Sequence, residues 1–187
     1  MSSVVISGDT SGTVTVTVPA VAGTNTVTIP AVTGTAVVSG QNSAITAGTA
    51  VASTSGSTIT FTSIPSWVKR ITMMLSGVSS NGTNNFQVQI GSGSLEATGY
   101  TCVISTGTTS TTGYVINSAS GANTFTGNIV FTLVGSNLYT ITGSLANPAG
   151  GTSQFGAGNK TTSGTLDRIG ITTVDTFDAG SINILYE

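Results

Sequence analysis

Histidine is absent from this chain, cysteine occurs once, tryptophan once and proline four times. Charged side chains amount to 5% of the residues, against about 25% in an average globular protein. Each shortage closes a class of function. Without histidine there is no Ser-His-Asp or Cys-His catalytic site and no imidazole-ligated metal. The lone Cys102 can form no internal disulfide, so the fold is not stapled. Lys69, Arg70, Lys160 and Arg168 are the four basic residues, and the formal net charge is -2. Four cations are too few to neutralise a run of phosphates, which argues against a nucleic-acid partner. No apolar run is long enough to span a bilayer as a helix, so no membrane partner is expected. The opening Met1-Ser-Ser-Val-Val-Ile-Ser-Gly-Asp9 lacks the basic and apolar regions of a secretory signal. Phosphate cradles of the P-loop or dinucleotide type are missing too. The glycines at Gly91 and Gly93 follow a strand pattern and open no helix, so they read as a turn.

Hydrophobic residues make up 38% of the chain, and many are Val or Ile alternating with Thr. Alternation of this kind gives a strand with one dry face, and the chain reads as all-β. A surface so short of charge is better suited to burial in an assembly than to a free monomer, so a homo-oligomer is expected.

The clearest internal order is a tandem repeat at residues 15–25 and 26–36. Val14, Val16 and Val18 line one face of the strand pattern at 13–18 that leads into the first copy, and Val27 and Ile29 repeat it in the second. Pro19 and Pro30 end the strands by removing a backbone donor, while Gly23 and Gly34 permit the turns. A unit this short cannot bury its own apolar face and must stack on something else. Residues 1–38 are therefore read as a β-prism-like stalk or anchor. Residues 39–57 are small, polar and aperiodic, and read as a linker.

From residue 58 onward, strand patterns recur at 58–62, 68–76, 85–90, 100–105, 114–117, 128–134, 138–142, 168–173 and 181–186. Asn81-Gly82 predicts a hairpin between the second and third of these, and Gly135-Ser136-Asn137 predicts another. Residues 146–162, rich in Gly, Asn and Pro, read as a long exposed loop offering Asn147, Gln154, Asn159 and Lys160 to a ligand. This many strands suits a jelly-roll-like β-sandwich better than a small barrel.

Carboxylates are the only catalytic residue type left. Asp175 and Asp178 lie in one loop with Asp167 near in sequence, and a glycosidase would need two of them facing across a cleft. The simpler reading makes them side-chain caps of a tight turn. A cation held by Asp175 and Asp178 would lack the regular spacing of a calcium loop. Trp67 could stack on a sugar, but Val68 and Ile71 beside it favour a core anchor. Lys69 and Arg70 could pair with Asp167 or Asp178, or stand solvated at a strand end. Cys102, Met73 and Met74 read as core. No catalytic, cofactor-binding or metal-binding residue is assigned, and no enzyme activity or cofactor is expected.

Two regions resemble structural proteins of tailed bacteriophages. The opening Ile6-Ser-Gly-Asp-Thr-Ser-Gly-Thr-Val-Thr-Val-Thr-Val-Pro19, continued through the second repeat, is similar to a repeat of phage fibres. Ile64-Pro-Ser-Trp-Val-Lys-Arg-Ile-Thr72, Phe86-Gln-Val-Gln-Ile-Gly91 and Asp175-Thr-Phe-Asp-Ala-Gly-Ser-Ile-Asn-Ile-Leu-Tyr-Glu187 resemble a domain that recurs with it. The resemblance implies a virion component made in the host cytoplasm, a homotrimer with the repeats as anchor and the β domain displayed. Its partners would be sibling chains, capsid or tail proteins, and host-surface glycan. Longer fibres carry an N-terminal docking domain that this chain lacks, so capsid decoration is the alternative reading. No site residue carries over from the resemblance.

Overall fold

A computed structural model describes residues 3–7, 13–17 and 45–187. The chain divides into two compact units, Met1–Ala36 and Val37–Glu187. In the first, β1 (Ser3–Ser7) pairs antiparallel with β2 (Thr13–Thr17), setting Val4 opposite Val16 and Ile6 opposite Val14. Val18, Pro19, Val27, Ile29 and Pro30 of the expected anchor lie outside the described residues.

The second unit is an all-β sandwich with no helix among the described residues. Its strands are β3 (Thr46–Ala47), β4 (Val51–Ala52), β5 (Thr58–Phe61), β6 (Arg70–Ser80), β7 (Phe86–Gly91) and β8 (Tyr100–Ile104). They continue as β9 (Thr109–Ser110), β10 (Tyr114–Ile116), β11 (Phe125–Gly135), β12 (Leu138–Asn147), β13 (Thr152–Thr161), β14 (Arg168–Thr172) and β15 (Phe177–Tyr186). One sheet runs β3-β15-β6-β11-β12-β13-β8-β9, with β4 also on β15, and the other runs β10-β7-β14-β5. The chain crosses repeatedly between the two, which is the jelly-roll-like trait. Alternation drives the packing: β5 exposes Thr58 and Thr60 and buries Ile59 and Phe61. From β6, Ile71, Met73 and Leu75 point inward, whereas Met74 is only half-buried on the outer face. Phe86 lies edge-on to Phe125 with ring centroids 5.6 Å apart, joining β7 of one sheet to β11 of the other.

The hairpin predicted at Gly135-Ser136-Asn137 forms. Ser136 (φ 49°) and Asn137 (φ 63°) both adopt the left-handed conformation that a tight two-residue turn requires. The one predicted at Asn81-Gly82 does not form. Strand β6 pairs with β11 and β15, while β7 pairs with β10 and β14, so this loop carries the chain between sheets. Its geometry comes instead from the 173–176 loop. Asn81 exchanges hydrogen bonds with Thr176, and the Asp175 carboxylate accepts from both the backbone and side-chain nitrogens of Asn84 at 2.7 Å.

Two further expectations are corrected. Within the expected linker, β3 and β4 pair with β15, and Ser53 is fully buried with its hydroxyl on the Ala179 carbonyl. The sandwich thus begins before residue 58. The expected loop at 146–162 is mostly β13, which pairs with β12 on one side and β8 on the other. A side chain at Gly158 would strike the Thr101 carbonyl and the Cys102 sulfur, so glycine here reflects close strand packing.

Candidate functional site

At one end of the sandwich three loops converge: 105–108 after β8, 117–124 between β10 and β11, and 148–151 between β12 and β13. They border an open cleft of about 410 Å³ lined by Thr106, Asn117, Ala119, Ser120, Asn123, Asn147, Gly150, Thr152 and Gln154. Among the described residues no charged side chain lines it. Asn147 is the last residue of β12 and Gln154 the third of β13, so strand register fixes both at its base.

Most of the amides are held in place. The Gln154 amide treats Asn117 as a neighbouring strand would, accepting from its backbone nitrogen at 2.9 Å and donating to its carbonyl at 2.7 Å. Asn117 Nδ2 in turn donates to Thr106 Oγ1 at 2.9 Å and Thr108 Oγ1 at 3.0 Å. Asn147 Oδ1 accepts from the Gly150 nitrogen at 3.0 Å, closing the β12–β13 turn. A methyl at Gly150 would strike Asn147 Nδ2 and stand 3.2 Å from Asn123 Oδ1, so glycine lets these two amides face each other. The Asn123 amide makes no hydrogen bond among the described residues and is half-exposed. Fixed, uncharged donors and acceptors suit a neutral ligand rich in hydroxyls.

Of the four residues proposed from the sequence as ligand contacts, Asn147 and Gln154 reach this cleft, although only 3% and 6% exposed. Asn159 stands exposed on the outer sheet face. Lys160 points inward, 5% exposed, its ammonium 2.6 Å from the Glu96 carboxylate and over the Tyr100 ring. Asn117, Asn123, Ser120 and Thr106 were not singled out by sequence reasoning. They come from separate loops, and only the strand order brings them together.

The remaining candidates are structural. Asp178 accepts from the Ser79 hydroxyl at 2.6 Å, and Asp175 caps Asn84. No group of three or more possible metal ligands occurs among the described residues. Arg70 pairs with Glu187, its backbone neighbour just past the end of β15, instead of Asp167 or Asp178. Asp167 is taken by the adjacent Arg168, whose hydrogen bond holds its carboxyl below the usual range. Trp67 is half-buried against the core and tilted onto Tyr186, with centroids 6.0 Å apart.

Cys102 is 1% exposed, and burial pushes its thiol up to about 11. At pH 8 a shift of that size lowers the thiolate fraction about a hundredfold relative to a free cysteine. Alkylation is therefore expected to be slow in buffer and to accelerate in urea along the unfolding transition, followed by mass spectrometry. Rapid labelling in buffer would mean that β8 opens without global unfolding.

Comparison with protein-family models, with curated proteins and with solved structures returns no match for this chain.

Proposed function

We propose that the chain is a structural protein of a tailed-phage virion, a short trimeric fibre or tip. In this reading residues 1–38 attach to the particle and the sandwich is displayed to bind host-surface glycan through the amide cleft. The cleft carries the proposal. It is the right size for one or two sugar units, it is uncharged, and its amides are oriented before any ligand arrives. Preorganisation limits the entropy lost on binding, and several weak sites on one particle give avidity. The resemblance of the repeat and of the domain to phage proteins supplies the biological setting.

Binding of neutral host-surface oligosaccharides is measured by titration NMR on the full chain. Asn123→Ala removes an unengaged amide without breaking an internal hydrogen bond, and is expected to weaken binding roughly tenfold, about 1.4 kcal/mol. No shift of cleft resonances with any neutral glycan would overturn the adhesion reading. In the alternative reading the same protein decorates the capsid without binding a receptor. Particle density on the head, together with silent glycan titrations, would establish it.

A further inference from the structure

The outer face of the nine-stranded sheet is organised in rows set by strand register. One row crosses six strands: Leu185 beside Thr72, then Val130, Thr142, Ala157 and Val103. Every side chain in it ends in at least one methyl group, and none is charged. Phe155 stands in the next row, 61% exposed, and Val103 is 49% exposed. Strands β8, β11, β12 and β13 present no outward charge, since Lys160 is turned into the core. Arg70 sits at the margin of the face and is engaged by Glu187. Solvated protein surfaces intersperse both signs of charge, and this face does not.

We infer that this face packs against a second copy of the same chain. An uncharged face meets the charge-poor surface of the next copy without repulsion, and in a closed trimer each such face packs on a different patch of its neighbour. Six strands about 4.8 Å apart, five of them crossed over about eight residues and β8 over its five, present roughly 700 Å². That approaches the roughly 800 Å² per partner of a stable interface. The face lies on the broad side of the sheet, whereas the amide cleft opens among loops at its end, so self-packing leaves the cleft accessible. This rests on the assembly part of the proposed function and not on the adhesion part.

Light scattering on the eluting full-length protein, over a wide concentration range, reads the result. The wild type is expected to run as an oligomer. Ala157→Lys, placing a charge in the middle of the row, is expected to shift it to the monomer mass. Thr60→Lys, on the exposed side of the other sheet, is expected to leave the oligomer intact. Val103→Lys, nearer the sheet margin, tests the same face should Ala157→Lys fail to fold, and Trp67 fluorescence reports folding in each variant. A monomeric wild type would overturn the inference. So would an oligomer that survives both Ala157→Lys and Val103→Lys, or a folded variant that keeps its mass while losing only particle incorporation. If the variants dissociate and glycan titrations are silent, the face stands and the adhesion reading falls.

Discussion

Glu96→Gln is expected to cost about 3–5 kcal/mol, because it leaves an ammonium buried without its counter-charge. Lys160 and Glu96 side chains are 6% and 15% exposed and meet at 2.6 Å. The Lys160 ammonium stands over the Tyr100 ring, 5.4 Å from its centroid, and the Tyr100 hydroxyl is itself fixed on the Ile90 backbone. Glu96 also accepts from the nitrogen and hydroxyl of Ser163, tying the β7–β8 connection to the β13–β14 connection. Urea denaturation measures the loss. Replacing both members, as Glu96→Leu with Lys160→Met, is expected to recover most of it, since a well-packed apolar pair removes both desolvation penalties. A Glu96→Gln loss below about 1 kcal/mol would place the pair in the weak class of solvated surface bridges.

The same pair fixes a direction with pH. Burial alone would raise the Glu96 carboxyl, but the Lys160 and Ser163 hydrogen bonds outweigh it and hold the group below its ordinary value. A folded-state value below the unfolded one stabilises the fold above the ordinary glutamate range. That contribution disappears as pH falls through the depressed folded value. Wild-type stability should therefore fall on acidification below the ordinary glutamate range, and the double variant should fall less.

Gly143→Ala is the second large effect, expected near 3 kcal/mol, the upper end of the usual overpacking range. Its φ is not left-handed, so on conformational grounds alone alanine would be mildly stabilising in a strand. The obstacle is across the sandwich. Tyr114 of β10 is fully buried, and a methyl at position 143 would strike its hydroxyl and lie 3.0 Å from Cε1. Burial pushes that phenol up to about 12, and its hydroxyl has no hydrogen-bond partner among the described residues. In a Tyr114→Leu background, Gly143→Ala should cost less than half as much, a coupling read from the four proteins of a double-mutant cycle. Equal costs in both backgrounds would locate the strain elsewhere.

These two sites show where sequence reasoning succeeds and where it stops. Strands such as β5 and β14 are legible because Ile59 and Phe61, and Ile169 and Ile171, fall at alternate positions against a single core. The β11–β12 hairpin is legible because Ser136-Asn137 supplies its own turn chemistry. Asn81-Gly82 carries an equally good local signal. A partner fifteen strands' worth of pattern cannot reveal, the Asp175 loop, redirects it into a crossover. Strand β13 is hidden because Gly156 and Gly158 make it read as a loop, when they are there to let β8 close in. Lys160 reads as a surface residue because its buried counter-ion is far away in sequence. The cleft is half legible in the same sense. Asn147 and Gln154 stand out as polar residues, while Asn117 and Asn123 join them only through the order of the strands.

The position of β15 in the larger sheet constrains how the molecule is made. It lies between β6 and the short strands β3 and β4, and Tyr186 pairs with Ile71. During synthesis, β6 has one edge unpaired until β15 has left the ribosome, and β3 and β4 have no sheet to join. The sandwich therefore closes late and through distant pairings, the slow regime for β proteins. A nascent chain halted before residue 177 would expose an apolar edge from β6, open to aggregation or to capture by a chaperone.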